Sequence, residues 1–451
     1  MSARRAAWVA ILGWVAVQYL LVGGLPLFSE DYSHGARVAA LDGVWQCFSH
    51  EITPPRPFLH LLLYAGIHWW EQNPWLLRLP GFACEVLAIL GLARLVAAGG
   101  GTQVQALGAA ALFAAFPVLK GVFWPAAIGG PGRVAFSLWA LAWFATRKRS
   151  WWAGPASVAC LALALLCHQS AVLIVPMLGL WIVLVERDWR ALADRWLCAH
   201  AVVAAGFTLW AASVPDVHSG VVAGGAVAAN VVKAACALLP EDLRFLIVEG
   251  FRRQHGAAGF VLAALLFSAH ALVLLMAFWR GRALVRFVLL AGALDLLLPI
   301  LKTGFSLRYA SFAAALACTV LVRAGRARWL VLLLGACWLF DSMRALHDVR
   351  AAGAEISRIL QVTATAARSV APDRLLVLAN PPGMWGRERD LPVCNWGLGE
   401  ALRREGVTRR VRLVRTIDYL TTSDVERVPA AALAELERSP ECVVIDLGAK
   451  Q

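Results

Sequence analysis

Residues 147–190 read RKRSWWAGPASVACLALALLCHQSAVLIVPMLGLWIVLVERDWR. A basic cluster, Arg147-Lys148-Arg149, opens the stretch, and a second, Arg187 with Arg190 and Arg195, closes it. Such clusters gather on the cytoplasmic side of a membrane protein, so the apolar run between them must cross an even number of times. About 35 residues suffice for two minimal spans. The polar interruption CHQS, Cys167–Ser170, therefore turns at the outer face.

The rest of the chain follows the same grammar. Of its 451 residues 60 % are hydrophobic and 16 % charged, against about 45–50 % and 25 % in soluble domains. That composition excludes a soluble enzyme and a disordered chain, and the recurrence of apolar runs from residue 6 to about 340 excludes a single anchor. Beyond the two spans above, apolar stretches fall at about 6–28, 76–97, 104–122, 132–146, 197–214, 257–279, 287–301, 307–322 and 328–341, which predicts eleven crossings. The first reads as a retained helix, because no small-x-small cleavage site follows it. With eleven crossings six basic groups land inside: Arg4-Arg5, Arg94, Arg147–Arg149, Arg187–Arg195, Arg280–Arg286 and Arg323–Arg328. The net charge of +13 is thus an orientation signal, and nucleic acid is excluded as a partner. Twenty Trp suit two interfacial belts, and ten Cys without a CxxC pair speak against thiolate metal sites. The expected architecture is an α-helical polytopic membrane protein: residues 1–341 form the transmembrane part, with a first outer loop at 28–75. Residues 342–451 form an outer helix and a small α/β domain. Its strands are RLLVLAN (374–380), RVRLVR (410–415) and CVVIDLG (442–448), and Cys394 and Cys442 could pair there.

The same parity sends the polar outer loops to one side. In the first, Glu30 and Asp31 stand side by side at the mouth of the first helix, where a carboxylate can act as a base or bind a divalent cation. RPFLHLLLYAGIHWW (56–70), introduced by Pro54-Pro55, is too short to span and predicts an amphipathic helix in the outer interface, offering Arg56, His60 and His68. LLRLP then leads into the next span. AAGGG (97–101) lacks the lysine and helix start of a phosphate loop, so a nucleotide site is not expected.

The order ED-Y, PPRPFLHLLL, LLRLPGFACEVLAIL and, later, CHQSAVLIVPML resembles the GT-C superfamily of integral-membrane glycosyltransferases. The likeness is to the bacterial branch akin to protein O-mannosyltransferases and the aminoarabinose transferase of lipid A. It covers roughly residues 1–190, and the remainder by architecture alone. The resemblance implies a polyprenyl-phosphate-linked sugar as donor, inverting transfer to a glycan, lipid or protein acceptor, and a bacterial inner-membrane protein with a cytoplasmic N-terminus and periplasmic C-terminus. It places the catalytic acid on Asp31, with Glu30 as neighbour or alternative base. Metal-bound members use an acidic residue and a histidine, which would be Glu51 and His168, although Gln169 stands where an aromatic residue is usual.

Transfer from a lipid phosphate leaves negative charge that needs cations in a partly desolvated site. Lys120 and Arg133 flank the outer turn FWPAAIGGPG, while Lys302 and Arg308 lie in LKTGFSLRYASF. Arg308, starting an apolar helix on the side where positive charge is disfavoured, is the leading candidate because arginine grips phosphate bidentately. Asp295 is an intramembrane carboxylate that could pair with Arg286 or with a neighbouring helix. Two rival readings remain: a flippase or transporter of a lipid-linked saccharide, and a non-catalytic subunit of an envelope complex.

Overall fold

The computed structural model describes residues 2–49, 56–117, 124–213, 225–251, 256–301, 307–323, 328–371, 373–382, 384–385, 391–392, 398–407, 411–415 and 426–447. In chain order its α-helices are α1 (Ala3–Val22), α2 (Ser29–Ala39), α3 (Pro57–His68), α4 (Pro74–Ala98), α5 (Gln103–Ala115), α6 (Gly129–Thr146), α7 (Ala153–Cys167), α8 (Ile174–Leu180) and α9 (Arg195–Ala212). They continue with α10 (Gly225–Ala235), α11 (Glu241–Phe251), α12 (Gly256–Arg280), α13 (Ala283–Leu301), α14 (Ser311–Leu321), α15 (Arg328–Ser369), α16 (Leu398–Arg404) and α17 (Ala430–Arg438). Of the described residues 79 % are helical. Among the described residues six segments are long and apolar enough to cross a membrane: α1, α4, Gln169–Glu186, α12, α13 and α15. It is a helical membrane protein with a small parallel sheet near the C-terminus.

Local chemistry sets the boundaries. Asn73 accepts the Trp75 N–H at 2.9 Å and Pro74 occupies the first turn, so α4 starts where the sequence provides both a cap and a fixed φ. Thr102 and Gln105 form a capping box on α5. The first span, expected to run to about residue 28, stops at Val22 because two glycines and Pro26 follow. A side chain on Gly23 would lie 2.2 Å from the Trp75 ring. Helices in lipid gain little from hydrophobic burial and rely on such close approaches of small residues.

Register between helices fixes direction. Cys84 neighbours Gly132, the Trp139 indole donates to the Leu87 carbonyl at 2.9 Å, and Arg94 lies 3.8 Å over the Trp143 ring, so α4 and α6 run the same way. Helix α7 runs opposite to α6, since Ser157 donates to the Ala140 carbonyl at 2.7 Å while Cys167 meets Gly132 and Gly129. One end of the bundle therefore collects Arg94, Arg147 and Arg323, the last donating to the Gly99 carbonyl at 3.0 Å. The same end holds Arg4 on Gln103, at the start of α5. The CHQS turn lies at the other end with the loop that precedes α6. The clusters counted in the sequence thus share an end.

At that basic end the clusters are not free charge. The Arg147 side chain, 1 % exposed, meets Glu186 at 2.6 Å and Asp194 at 2.9 Å, and Lys148 also reaches Glu186 at 2.8 Å. Asp194 additionally caps α9 through the Trp196 N–H. The network ties the end of α6 to the segment linking Gln169–Glu186 with α9.

Helix α15 joins what the sequence divided into a span and a separate polar helix. Its 42 residues make a rod of about 63 Å, twice the hydrocarbon thickness. Beyond it β1 (Leu375–Ala379), β4 (Val411–Arg415) and β6 (Cys442–Asp446) form at the three expected stretches, and the short β2 (Met384–Trp385), β3 (Leu391–Pro392) and β5 (Glu426–Arg427) form at stretches where no strand was expected. The main sheet has the order β5-β4-β1-β6, all neighbours parallel. β1, at its centre, is buried on both faces: Leu378 joins the main core with Leu398, Leu402 and Leu413, while Val377 and Ala379 pack with Val414, Val428 and Leu433. Continuous apolar β1 is what a covered parallel strand requires. Cys394 lies outside the described residues.

Replacing Arg147 by alanine leaves Glu186 and Asp194 without their buried partner, and should cost about 3 kcal/mol. The check is the thermal unfolding midpoint of the detergent-solubilised protein, with Arg149→Ala, at an exposed neighbouring position, expected to leave it nearly unchanged.

Candidate functional site

The end opposite the basic clusters is built around a sharp corner between α1 and α2. Arg78, on the first turns of α4 and 1 % exposed, donates to the carbonyls of Gly23 at 3.1 Å, Leu25 at 2.5 Å and Pro26 at 2.7 Å. These are carbonyls left over where α1 stops, and a guanidinium is shaped to satisfy several at once. Tyr19 holds the same corner by donating to the Trp75 carbonyl at 2.9 Å.

Three residues into the next helix, Asp31 is 2 % exposed. One carboxylate oxygen accepts the Phe28 N–H at 2.8 Å, closing the start of α2, and the other accepts the Ala126 N–H at 2.7 Å from the turn that precedes α6. A single carboxylate thus joins the first loop to the second. Burial pushes its pKa up to about 7, against the opposing pull of the Arg78 charge and the two amide donors. Tyr32 is pushed up to about 12, chiefly by burial, with the nearby Arg404 pulling the other way. Arg404, the last residue of α16, lies 5.8 Å over the Tyr32 ring, so the C-terminal sheet region rests on the helix that carries Asp31.

Around this pair the other elements close in. Helix α3 packs on α2, α4 and α7, with Leu59, His60, Leu62 and Leu63 buried. It forms a covered wall at this end of the bundle. His60, offered by the sequence as an available group, is 1 % exposed, and burial lowers its imidazole to about 4. His68 remains exposed and stacks on Tyr64 at 4.2 Å. Arg56 approaches the turn at Gly129, next to the Cys167 carbonyl. His168 follows directly, its Nδ1 accepting the Ser170 N–H at 3.2 Å and lying 2.8 Å from the Ser170 hydroxyl. Asp31, Arg56, Arg78 and His168 therefore share one end of the bundle.

The remaining expected residues divide. Glu30 lies in α2 and Arg308 in the turn Leu307–Ala310, but their side chains fall outside the described residues. Glu51, Lys120 and Lys302 also fall outside them. Arg133 is described, and its guanidinium forms a buried ion pair with Asp295 while facing the Phe312 ring at 5.8 Å. This corrects the alternative pairing of Asp295 with Arg286, which instead donates to the Phe278 and Trp279 carbonyls. Among the described residues no group of three or more His, Cys, Asp or Glu is arranged to hold a metal.

Sequence reasoning missed Arg78 and the Arg404–Tyr32 contact. Arg78 carried the signal used for Arg308, an arginine at the start of an apolar helix on the disfavoured side. The Arg404 contact bridges residues far apart in sequence and left no local signal. No family model matches the chain, and no curated protein is similar to it.

Arg78→Leu strands three carbonyls and removes the charge beside Asp31, and is expected to destabilise the protein by about 3 kcal/mol or more. Arg78→Lys, which keeps the charge but not the fork, should recover only part of that loss, as read from thermal unfolding in detergent.

Proposed function

We propose that this protein is a GT-C-type glycosyltransferase with eleven membrane crossings, using a polyprenyl-phosphate-linked sugar as donor. The acceptor is a glycan, a lipid-linked saccharide or a protein hydroxyl, at the periplasmic face of a bacterial inner membrane. The observation that carries this reading is Asp31, a buried carboxylate whose pKa stands at about 7, fixed between two loops at the end of the bundle remote from the basic clusters. The alternation of helix directions supports the eleven crossings, and the resemblance in the first loop supports the chemistry.

In this reading Asp31 takes the proton as the acceptor oxygen bonds to the anomeric carbon. The bond from that carbon to the phosphate oxygen breaks, and polyprenyl phosphate leaves with the electron pair. A base with a pKa near the working pH serves best. Each carboxylate oxygen keeps a second lone pair beyond the amide it already accepts. The acceptor gains access when α16 lifts from α2, loosening Arg404 from Tyr32. The phosphate is held by Arg308 with Lys302 or Lys120. Arg133, buried and already engaged by Asp295, is set aside as a phosphate ligand.

The test is transfer from a labelled polyprenyl-phosphate sugar in membranes, comparing wild type with Asp31→Asn at matched expression. A drop of about 100-fold or more is expected on losing a general base. Full activity in Asp31→Asn sinks the assignment. Because the base must be ionised, wild-type transfer should fall as pH drops through about 7 and level off above it.

A further inference from the structure

Helix α4 buries one side against the bundle and leaves the other open. Ala83, Leu87, Leu90 and Arg94 recur at intervals of three or four and all are exposed, so they line one strip of the helix surface. From Ala83 to Arg94 the strip rises about 17 Å, close to the depth of one leaflet. Indoles flank it. The Trp139 indole, fastened to the Leu87 carbonyl, lies 5.6 Å from Trp143, and Trp143 lies 4.3 Å from the exposed Trp152 that precedes α7. The strip therefore runs between leucines of α4 and tryptophans of α6 up to the basic end.

Arg94 closes it there. Its guanidinium lies 3.8 Å over the Trp143 ring, and among the described residues its side chain makes no ion pair and no hydrogen bond. Other arginines of this end are spent: Arg147 on Glu186 and Asp194, Arg323 on the Gly99 carbonyl, Arg4 on Gln103. Stacking on an indole uses a face of the guanidinium and leaves its in-plane N–H donors available.

An apolar strip one leaflet deep, ending in a planar cation with unspent donors, complements a molecule with an aliphatic chain and an anionic head. In a membrane that molecule is an anionic phospholipid. We propose that the open α4–α6 face holds one such lipid, its phosphate on Arg94 and an acyl chain along Leu90, Leu87 and Trp139. The strip is surface, so the chain needs no enclosed volume. The site is separate from the proposed transfer reaction and stands whether or not that reaction is right.

Native mass spectrometry of the full-length protein in detergent tests this, titrating phosphatidylglycerol or phosphatidylcholine of matched chains. One retained phosphatidylglycerol is expected, weakened about tenfold or more by Arg94→Gln and less by Arg94→Lys. Trp143→Leu keeps the charge and removes the ring that orients it, so it should also weaken retention, and it carries the test if Arg94→Gln does not fold. Arg190→Gln makes the same charge change in the exposed segment Trp189–Ala193 at the same end, and should bind as wild type. Equal retention of the two lipids, equal retention in wild type, Arg94→Gln and Trp143→Leu, or an equal loss in Arg190→Gln would overturn the proposal. Displacement of the lipid by millimolar inorganic phosphate would overturn the lipid as the ligand.

Discussion

Where α1 ends, the backbone must turn without water to satisfy its carbonyls, and Arg78 solves that problem from the next span. Its fork takes the carbonyls of Gly23, Leu25 and Pro26, which lets the chain leave the membrane as a tight corner instead of fraying. The corner fixes the start of α2, and the start of α2 fixes Asp31, whose two oxygens then reach Phe28 and Ala126. Moving Arg78 would therefore propagate through three elements. The interaction also explains why the Asp31 carboxyl is raised only to about 7 despite full burial: a cation and two amide donors oppose the desolvation.

Much of the membrane part was legible because its rules act locally along the chain. A run of about twenty apolar residues needs no tertiary information to be recognised, and basic clusters need only parity to be assigned to one end. The contacts of Arg4, Arg94, Arg147 and Arg323 place them together as that rule requires. The strands β1, β4 and β6 were legible for a related reason, since short apolar runs bounded by turn residues read as strands. The short helix α3 was legible along the chain, but the burial of His60 on it was not. Whether one face of a twelve-residue helix meets lipid headgroups or α2 depends on what folds over it, which periodicity does not encode.

The partners of charged residues were the least legible feature. Arg147 read as an orientation signal, and it is also the hub that binds Glu186 and Asp194 across two loops. Arg133 read as a phosphate ligand, and it neutralises Asp295 from a helix more than 150 residues later. Inside a membrane a lone charge is costly enough that the fold finds it a partner, but the sequence shows the charge and not the partner. The candidate site was visible to the same extent. Asp31 stood out by position, whereas Arg78, Ala126 and Arg404 became neighbours only through packing.

The two ends of the bundle use positive charge differently. At the basic end arginines pair with acids and backbone carbonyls that fasten loops. At the Asp31 end Arg78 serves a carbonyl cluster, Arg133 a buried acid and Arg404 the ring of Tyr32. An orientation signal needs only to be present on one side, so its members are free to take structural duties. Positive charge on the opposite side works against orientation and persists only where a carbonyl cluster, an acid or a ligand requires it. An arginine at the end opposite the basic clusters is therefore informative, and Arg78, which takes three carbonyls at the corner beside Asp31, is such a residue.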